Sequence, residues 1–235
     1  QCGESRPSAM KFSYYGHACF SVEFRGKILL FDPFITPNEL ASHIKLDQIA
    51  ADYVLISHGH FDHITDAVEI AKRTGATVVS NFEIVGWLGK QGIEKAHPMN
   101  HGGGWTFDFG RVKYVNAVHS SQLPDGSYGG NPGGFVVEGA NEAFYYSGDT
   151  ALTWDMKLIA EDFKLRFAVL PIGDNFTMGA RDAAKAANLL DCKHVVGVHY
   201  DTFPPIKIDQ AEAEATFARA GVKLHLLPIG RSVEL

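Results

Sequence analysis

Four side chains that can bind metal ions fall within six consecutive positions of this 235-residue chain, namely His58, His60, Asp62 and His63. The apolar residues 53–56 precede them and predict a strand that ends at this segment. Residues two apart in an extended chain project to the same side, so His58 and His60 can bind one cation together. The chain then turns, so that Asp62 and His63 can face a second position nearby. Because imidazole and carboxylate groups bind zinc, iron, manganese and nickel, the segment predicts a metal site.

The apolar pattern along the whole chain predicts a layered α/β domain in which helices cover sheets. Strands are predicted at residues 11–15, 19–24, 27–31, 53–56, 77–79, 167–170, 195–198 and 222–227, and with interruptions within 105–146. Helices are predicted at residues 64–73, 82–90, 181–190 and 209–220. Three local signals support these bounds: a hairpin turn at Arg25-Gly26, a left-handed helix end at Gly75, and a capping box formed by Asp209 and Glu212.

Composition narrows the classes of function. With 21 basic and 27 acidic residues, the formal net charge of −6 argues against general nucleic-acid binding, with a local positive cleft as the alternative. Three cysteines are too few for a disulfide framework or a thiolate zinc cluster, which favours a reducing, cytoplasmic setting. No apolar run approaches the ~20 residues that span a bilayer, so no membrane partner is expected. A homo-oligomer is compatible with this composition.

The amino-terminal residues differ in character from the rest. Residues 1–9 are polar and precede Met10-Lys11, which is typical of a natural start. We interpret residues 1–9 as an added leader or a disordered extension, and residues 10–235 as one folded domain. The alternative is a lipid-modified Cys2 left after removal of an export signal, although the sequence contains no signal-peptide pattern.

The H-x-H-x-D-H segment resembles the metal-binding signature of the metallo-β-lactamase superfamily, and the family's other elements follow in order. Asp32 matches an acidic residue at the end of an early strand. His119 matches a lone histidine after a strand, and Asp149 matches a bridging aspartate in a Ser-Gly-Asp-Thr context. His199 follows a late strand, as the last histidine of the family does. The resemblance covers residues 10–235 and implies a four-layered αββα sandwich in a single domain.

The resemblance also implies two metal sites bridged by Asp149, the first formed by His58, His60 and His119 and the second by Asp62, His63 and His199. Two divalent ions in such sites lie about 3.5–4 Å apart with a hydroxide between them. Zn²⁺ is expected first, with Mn²⁺, Ni²⁺ and Fe²⁺ as alternatives. Asp62 could also orient the hydroxide, and Asp32 is expected to orient a ligand without binding metal. The alternatives are buried core histidines for His119 and His199, a turn or helix cap for Asp149, and a solvated polar loop for 57–63.

Three further segments, residues 16–20, 171–179 and 199–204, resemble the branch that contains L-ascorbate-6-phosphate lactonase and many uncharacterised metal-dependent hydrolases. His17 is a candidate ligand-orienting residue, substrate ligand or proton donor, with a structural role bonded to a loop carbonyl as the alternative. Asp174 and Asn175 either contact substrate or hold their loop. Tyr200 is expected to point away from the site. A glycine-rich loop at 129–134 and four aromatic side chains are candidates for a cleft wall, namely Phe61, Tyr128, Phe176 and Phe203.

The resemblance implies an enzyme for small molecules, in which a hydroxide bridged by two metal ions cleaves an ester, lactone or phosphodiester. Asp149 stands where typical antibiotic-degrading members have a cysteine-containing site, which argues against a β-lactam substrate. The chain has little room for the clamp domain of the RNA-processing branch. Two alternatives stay open, namely an iron-dependent redox enzyme on the same scaffold and a non-catalytic metal-binding sensor.

Overall fold

The computed structural model describes residues 9–235, so the interpretations of Cys2 and of residues 1–8 lie outside the described residues. The first sheet consists of β1 Lys11–Gly16, β2 Cys19–Phe24, β3 Lys27–Phe31, β4 Tyr53–Leu55, β5 Thr77–Asn81, β6 Ala96–Met99 and β14 Ser232–Glu234. The second sheet consists of β7 Gly104–Phe107, β8 Gly110–Asn116, β9 Gly133–Glu138, β10 Ala143–Tyr146, β11 Phe167–Pro171, β12 His194–Val198 and β13 Lys223–His225.

Six α-helices accompany the sheets within residues 9–235: α1 Phe61–Ile64, α2 Ala67–Thr74, α3 Phe82–Lys90, α4 Asp155–Asp162, α5 Ala180–Leu189 and α6 Gln210–Arg219. Short 3-10 helices lie at Glu39–Ala41, Leu46–Gln48 and Pro204–Ile206. None of the described helices is long and apolar enough to cross a membrane.

Each sheet has an antiparallel half and a parallel half. The strand order is β14-β1-β2-β3-β4-β5-β6 in the first sheet and β13-β12-β11-β10-β9-β8-β7 in the second. Strands β3 to β6 pair in parallel, as do β10 to β13. Because β1 and β3 both lie antiparallel to β2, they run in the same direction, and β8 and β10 are related in the same way through β9. Five strands of each sheet therefore form a set that runs in one direction and ends at the same edge. These sets include β1, β3 and β4 in the first sheet and β8, β10 and β12 in the second.

Three apolar cores separate the layers of the molecule. Successive side chains of a strand project to opposite faces, and in β11 Phe167 and Val169 join the core between the sheets while Ala168 and Leu170 pack against α4, α5 and α6. A third core joins the first sheet to α2 and α3. The order of layers is thus helices, sheet, sheet, helices, which confirms the predicted αββα sandwich. Burial of both strand faces explains the continuous apolar runs in the sequence.

Several local predictions are confirmed. Arg25 and Gly26 both have positive φ, at 49° and 83°, and form the hairpin turn between β2 and β3. Gly75 ends α2 in the left-handed conformation, with φ 72°. The Asp209 side chain accepts a hydrogen bond from the backbone N–H of Glu212 at 3.0 Å and caps α6. These features depend on near neighbours in the chain, which is why periodicity and turn chemistry detected them.

The prediction of one helix over residues 64–73 is wrong, because the chain breaks at Asp66 between α1 and α2. The buried Asp66 carboxylate accepts hydrogen bonds from the backbone N–H groups of Ile35 and Thr36, at 2.6 and 2.9 Å. This tie to a distant loop holds the backbone of Asp66 away from helical geometry, with φ −97° and ψ 3°. The break lets α1 carry Asp62 and His63 in a turn of its own.

Three elements were not predicted, namely β6, α4 and β14. Strand β6 contains Pro98, and a proline argues against a strand in the sequence. The proline is tolerated because β6 is an edge strand that pairs only with β5 within the described sheet. Helix α4 begins without a side-chain cap and buries just Met156 and Ile159. Strand β14 is three residues long and pairs with β1, far away in the sequence.

Candidate metal centre

The candidate site lies where strands of both sheets end. Six of the histidines and aspartates singled out in the sequence lie within three positions after the end of a strand. They are His17 after β1, Asp32 after β3, His58 after β4, His119 after β8, Asp149 after β10 and His199 after β12. Because the strands of each set run in one direction, their following loops meet at one edge of the sandwich. The structure therefore brings His119, Asp149 and His199 to the 57–63 segment.

The first cluster consists of three histidines. Nε2 of His58 lies 3.1 Å from Nδ1 of His60, so the two side chains do project to a common point. The His119 ring lies 5.1 and 5.2 Å from the rings of His58 and His60, measured between centroids. One nitrogen from each residue falls within 4.8 Å of the others, a spacing at which the three could hold one cation.

The second cluster adds a carboxylate to imidazoles. Oδ2 of Asp62 lies 3.5 Å from Nε2 of His63 and 3.4 Å from Nε2 of His199. The same oxygen lies 2.8 Å from Nε2 of His17. These four residues also form a group with a spacing that could hold a metal ion. His17 is therefore a fourth candidate at this position, beside the three that the resemblance implies.

Asp149 lies between the two clusters. Its Oδ2 atom is 3.6 Å from Nε2 of His58 and 3.5 Å from Nε2 of His119 in the first cluster. The same atom is 3.0 Å from Nε2 of both His63 and His199 in the second. One oxygen thus approaches four imidazoles, whereas the resemblance implies one oxygen toward each metal position.

Several buried polar atoms of the two clusters have no hydrogen-bond partner among residues 9–235, which bears on whether these residues could bind a metal ion. Within the described residues, Nε2 of His63, Nε2 of His199 and Oδ1 of Asp149 are buried and form no hydrogen bond, despite the short distances to Asp149 Oδ2. A buried polar atom without a partner costs about 1–3 kcal/mol. Imidazole nitrogens and carboxylate oxygens are the ligands that divalent first-row cations prefer. The donor set therefore fits such cations.

Charge interactions divide the histidines into two groups. Burial lowers the pKa of His58, His60 and His119, so these imidazoles are neutral at pH 7. Burial also opposes a proton on His199, but the Asp149 carboxylate outweighs it and raises the His199 pKa to about 9. The same balance raises the pKa of His63 above its usual range. Burial opposes the charge on Asp149, but His199 and His63 outweigh it and hold the pKa of this carboxyl well below that of an ordinary aspartate.

Asp32 is fully buried and fixes the orientation of His63. Its Oδ2 atom lies 2.7 Å from Nδ1 of His63 and accepts hydrogen bonds from the hydroxyls of Ser57 and Tyr146, at 2.6 and 2.5 Å. Its Oδ1 atom accepts the backbone N–H of Ser57 at 2.8 Å. These contacts turn Nε2 of His63 toward Asp149, as expected of a residue that orients a ligand. Sequence reasoning missed Tyr146, although it directly precedes the Ser-Gly-Asp-Thr segment.

His17 has side-chain partners on both ring nitrogens, so the alternative in which its ring bonds to a loop carbonyl is wrong. Nδ1 lies 2.6 Å from Oγ1 of Thr202, and Nε2 lies 2.8 Å from Oδ2 of Asp62. Burial, and then the neighbouring His199, lower the pKa of His17 to about 4, so its ring is neutral. Since a carboxylate can only accept, Nε2 carries the proton and donates to Asp62, and Nδ1 accepts from the Thr202 hydroxyl. Thr202 was not identified from the sequence, because it comes 185 positions after His17.

Two glycines allow the close approaches that the site requires. Gly148 has φ 62°, and a Cβ atom there would lie 2.5 Å from the carbonyl oxygen of Gly133 and 2.9 Å from Cβ of Ser57. A Cβ on Gly59 would lie 3.0 Å from Cδ2 of Leu123. The glycine in the Ser-Gly-Asp-Thr segment thus lets Asp149 approach the 57–63 segment from the other sheet.

A cleft of about 640 Å³ opens beside the two clusters. Its lining includes three of the four aromatic side chains expected there, Phe61, Phe176 and Phe203. Tyr128 and the 129–134 loop are not among the lining residues. Asp174 and Asn175 line a neighbouring cavity of about 460 Å³, so the structure does not bring them to this cleft.

Asp174 and Asn175 have a local structural role. Asp174 accepts a hydrogen bond from the backbone N–H of Asn175 at 2.9 Å, and both residues have positive φ. The backbone N–H of Asp174 donates to the carbonyl of Met178, which closes the loop. Tyr200 turns away from the site and stacks on Tyr14, with ring centroids 6.5 Å apart, which confirms its predicted orientation.

A family model described as a beta-lactamase superfamily domain matches residues 27–200. A metal-dependent hydrolase of Methylacidiphilum infernorum is 55% identical over 226 residues, covering 96% of this chain and 100% of that protein. A metal-dependent hydrolase of Flavobacterium johnsoniae is 52% identical with the same coverage. The chain belongs to the metallo-β-lactamase superfamily.

A solved structure is similar over nearly the whole chain. A metallo hydrolase from the hyperthermophilic archaeon Ignicoccus hospitalis is 35% identical to this superfamily member, with a TM-score of 0.88. The alignment covers 97% of this chain and 99% of that one. The predicted superfamily and the predicted sandwich are therefore both confirmed.

Proposed function

We propose that this chain is a metal-dependent hydrolase that cleaves a small ester, lactone or phosphodiester with two divalent cations. The observation that carries the proposal is the position of Asp149, whose Oδ2 atom lies within 3.6 Å of imidazole nitrogens from both clusters. The names of the two bacterial relatives and of the archaeal structure support a hydrolase class. A cytoplasmic setting and a small-molecule substrate are part of the same proposal.

Seven side chains would hold the cations, with His58, His60 and His119 at the first position, Asp62, His63 and His199 at the second, and Asp149 between them. Zn²⁺ is the first candidate, followed by Mn²⁺, Ni²⁺ and Fe²⁺. When bound, such cations supply a hydroxide nucleophile at neutral pH and stabilise negative charge on the displaced oxygen. Nε2 of His63 and Nε2 of His199 would be ligand atoms at the second position, and neither atom has a hydrogen-bond partner in the described part of the chain.

Asp62 and His17 would prepare the attacking group. Asp62 lines the cleft, and its side chain keeps 13% of its surface exposed, so its carboxylate can accept a hydrogen bond from an attacking water. Nε2 of His17 donates to Oδ2 of Asp62 and fixes the direction of that carboxylate. His17 is thus a positioning residue that acts through Asp62.

Metal analysis combined with a substrate screen tests the proposal. We expect purified protein to bind metal stoichiometrically, and His60→Ala or Asp149→Ala to lose both metal and turnover. His43→Ala is the matched control, because His43 is an exposed histidine that contacts the carbonyl of Ile229. The screen contains lactones, thioesters and bis-nitrophenyl phosphate, each with Zn²⁺, Mn²⁺, Ni²⁺ and Fe²⁺.

Each outcome of this screen has a defined meaning. Full activity after chelation, with no metal found, contradicts the proposal. Bound metal without turnover of any substrate supports the non-catalytic sensor instead. Iron in the purified protein, together with oxygen uptake on a thiol substrate, supports the redox alternative.

A further inference from the structure

The cleft beside the candidate metal centre has apolar walls. Apart from the candidate ligands, its lining consists mainly of Phe61, Leu123, Pro124, Phe176, Phe203 and Pro205. Phe61 and Phe176 are 55% and 56% exposed, although large aromatic side chains usually lose most of their surface on folding. Exposed aromatic side chains that share a concave surface are typical of a binding site for an apolar group.

One wall is a fixed aromatic cluster. The rings of Phe61 and Phe203 have centroids 6.4 Å apart, and the buried Phe34 packs behind both, at 5.7 and 6.3 Å. The Phe203 ring also lies 5.4 Å from the ring of His17, measured between centroids. This wall therefore continues directly from the second cluster, and a substrate bound at the cations would extend along it.

Phe176 belongs to a second part of the lining that is tied to Asp149. Its loop is anchored because the backbone N–H of Met178 donates to the carbonyl of Thr150, the residue after Asp149, at 3.1 Å. Leu123 lies against the 57–63 segment, since its Cδ2 atom is 3.0 Å from the position of a Cβ on Gly59. Apolar surface thus borders the metal centre from several separate loops.

Outside the candidate ligands, the described lining contains no cationic side chain. Among the described residues that form the cleft there is no lysine or arginine, and the polar ones outside the candidate ligand set are Ser120 and Gln122. A phosphate or carboxylate remote from the reacting bond would lose hydration against these walls without gaining an ionic partner. A negative group in that part of a substrate is therefore disfavoured.

On the basis of the proposed function, we infer that the substrate is an ester or lactone whose non-reacting part is uncharged and apolar, held against the Phe61–Phe203 wall and Phe176. In this reaction the oxygen of one water bonds to the acyl carbon and the acyl C–O bond breaks. The leaving oxygen takes a proton. An ester gives a carboxylic acid and an alcohol, and a lactone gives one hydroxy acid. A phosphorylated sugar lactone and a nucleic acid phosphodiester are excluded by this inference.

A series of 4-nitrophenyl esters tests the inference on the metal-loaded protein. We expect kcat/KM to rise roughly fourfold for each methylene from acetate to hexanoate, as each buries against the wall. The mono-4-nitrophenyl ester of adipic acid has the length of the hexanoate but ends in a carboxylate. We expect its kcat/KM to be at least about tenfold lower than that of the hexanoate, because the walls offer no partner for the charge. Equal or higher activity on the adipate overturns the inference.

Two variants connect the preference to the named residues. Phe176→Ala should lower the ratio of kcat/KM for hexanoate to kcat/KM for acetate about tenfold. Phe82→Ala should leave this ratio unchanged, because Phe82 is also an exposed phenylalanine but lies outside the cleft. Gln122→Lys adds a cation to the cleft and should raise the ratio of kcat/KM for the adipate ester to kcat/KM for the hexanoate about fivefold. If neither ratio changes in these variants, the assignment of these residues to the substrate-binding wall is wrong.

Binding measurements separate this inference from the proposed function. Hexanoate and adipate are product-like acids, and calorimetry with the metal-loaded protein compares them without turnover. Hexanoate should bind at least about tenfold more tightly than adipate. Equal affinities, or no binding of either acid, overturn the inference even if esters are hydrolysed. The proposed function fails by a different readout, namely the absence of bound metal or of hydrolysis.

Discussion

Nδ1 of His63 lies 2.7 Å from Oδ2 of Asp32, and both side chains are fully buried. Since Nδ1 donates to this carboxylate, Nε2 faces Asp149 and the second cluster, where it can bind a cation once its own proton has left. A carboxylate behind a ligating histidine fixes its tautomer and raises its basicity. Through this contact, Asp32 at the end of β3 should influence the metal affinity of the candidate site.

Replacing Asp32 tests this link. We expect Asp32→Asn, which keeps the volume but removes the charge, to weaken metal binding about 10–100-fold. Isothermal calorimetry with Zn²⁺ measures the effect. Asp52→Asn is the control, because the exposed Asp52 carboxylate accepts the backbone N–H of Ile28 and lies outside the site. Unchanged affinity in folded Asp32→Asn would show that the contact has no such role.

His17 should affect metal binding through Asp62. We expect His17→Ala to lower metal affinity about 10–100-fold, and Thr202→Val to have a smaller effect in the same direction. The reason is that Thr202 holds the His17 ring at Nδ1, while Nε2 donates to Asp62. Metal titrations of both variants, with thermal unfolding to verify the fold, measure this order. A larger loss in Thr202→Val than in His17→Ala contradicts it.

Metal binding should release protons near neutral pH. The pKa of His199 is raised to about 9 and that of His63 is also raised, so at pH 7 both rings carry a second proton and a positive charge when no cation is bound. A cation binds only the neutral ring, so it must displace these protons. Metal affinity should therefore rise as pH increases from about 7 to 9. Calorimetry in two buffers of different ionisation enthalpy counts the released protons, and a count of zero at pH 7 would refute the prediction.

Gly148 should tolerate no side chain. Gly148→Ala must place a Cβ 2.5 Å from a backbone oxygen at φ 62°, and we expect about 2–4 kcal/mol of destabilisation from strain and overpacking. Gly75→Ala is a matched control, since φ is 72° but no atom lies within 4 Å of the added Cβ. The control should cost about 1 kcal/mol. Urea unfolding of the metal-free proteins measures both, and equal losses would contradict the steric explanation.

The local features of the candidate site could be read from the sequence because they depend on adjacent residues. The spacing of His58 and His60 indicates a shared face, and their nitrogens lie 3.1 Å apart. The Asp209 cap and the Gly75 helix end follow in the same way from short-range chemistry. His119, Asp149 and His199 were assigned to the site because they match the motif order of the superfamily. No short-range pattern in the sequence indicates that they come together.

Contacts across the sandwich could not be predicted in this way. The break at Asp66 depends on hydrogen bonds to Ile35 and Thr36, about thirty positions earlier. The partner of His17 at Nδ1 is 185 positions away. Asp174 and Asn175 stand beside Phe176 in the chain, yet Phe176 lines the cleft and the other two line the neighbouring cavity. The direction of each side chain there is set by a loop closed through backbone hydrogen bonds.

The amino-acid order alone determined which residues can bind a metal ion, where strands end and which turns need glycine, since these follow from side-chain chemistry and short-range backbone preferences. Only the tertiary structure decided that Asp149 approaches four histidines, that His17 holds Asp62, and that aromatic rings wall a cleft whose described lining has no lysine or arginine. These relationships arise where two sheets bury their apolar faces against each other. That packing fixes which strand ends meet, and no local pattern in the chain encodes it.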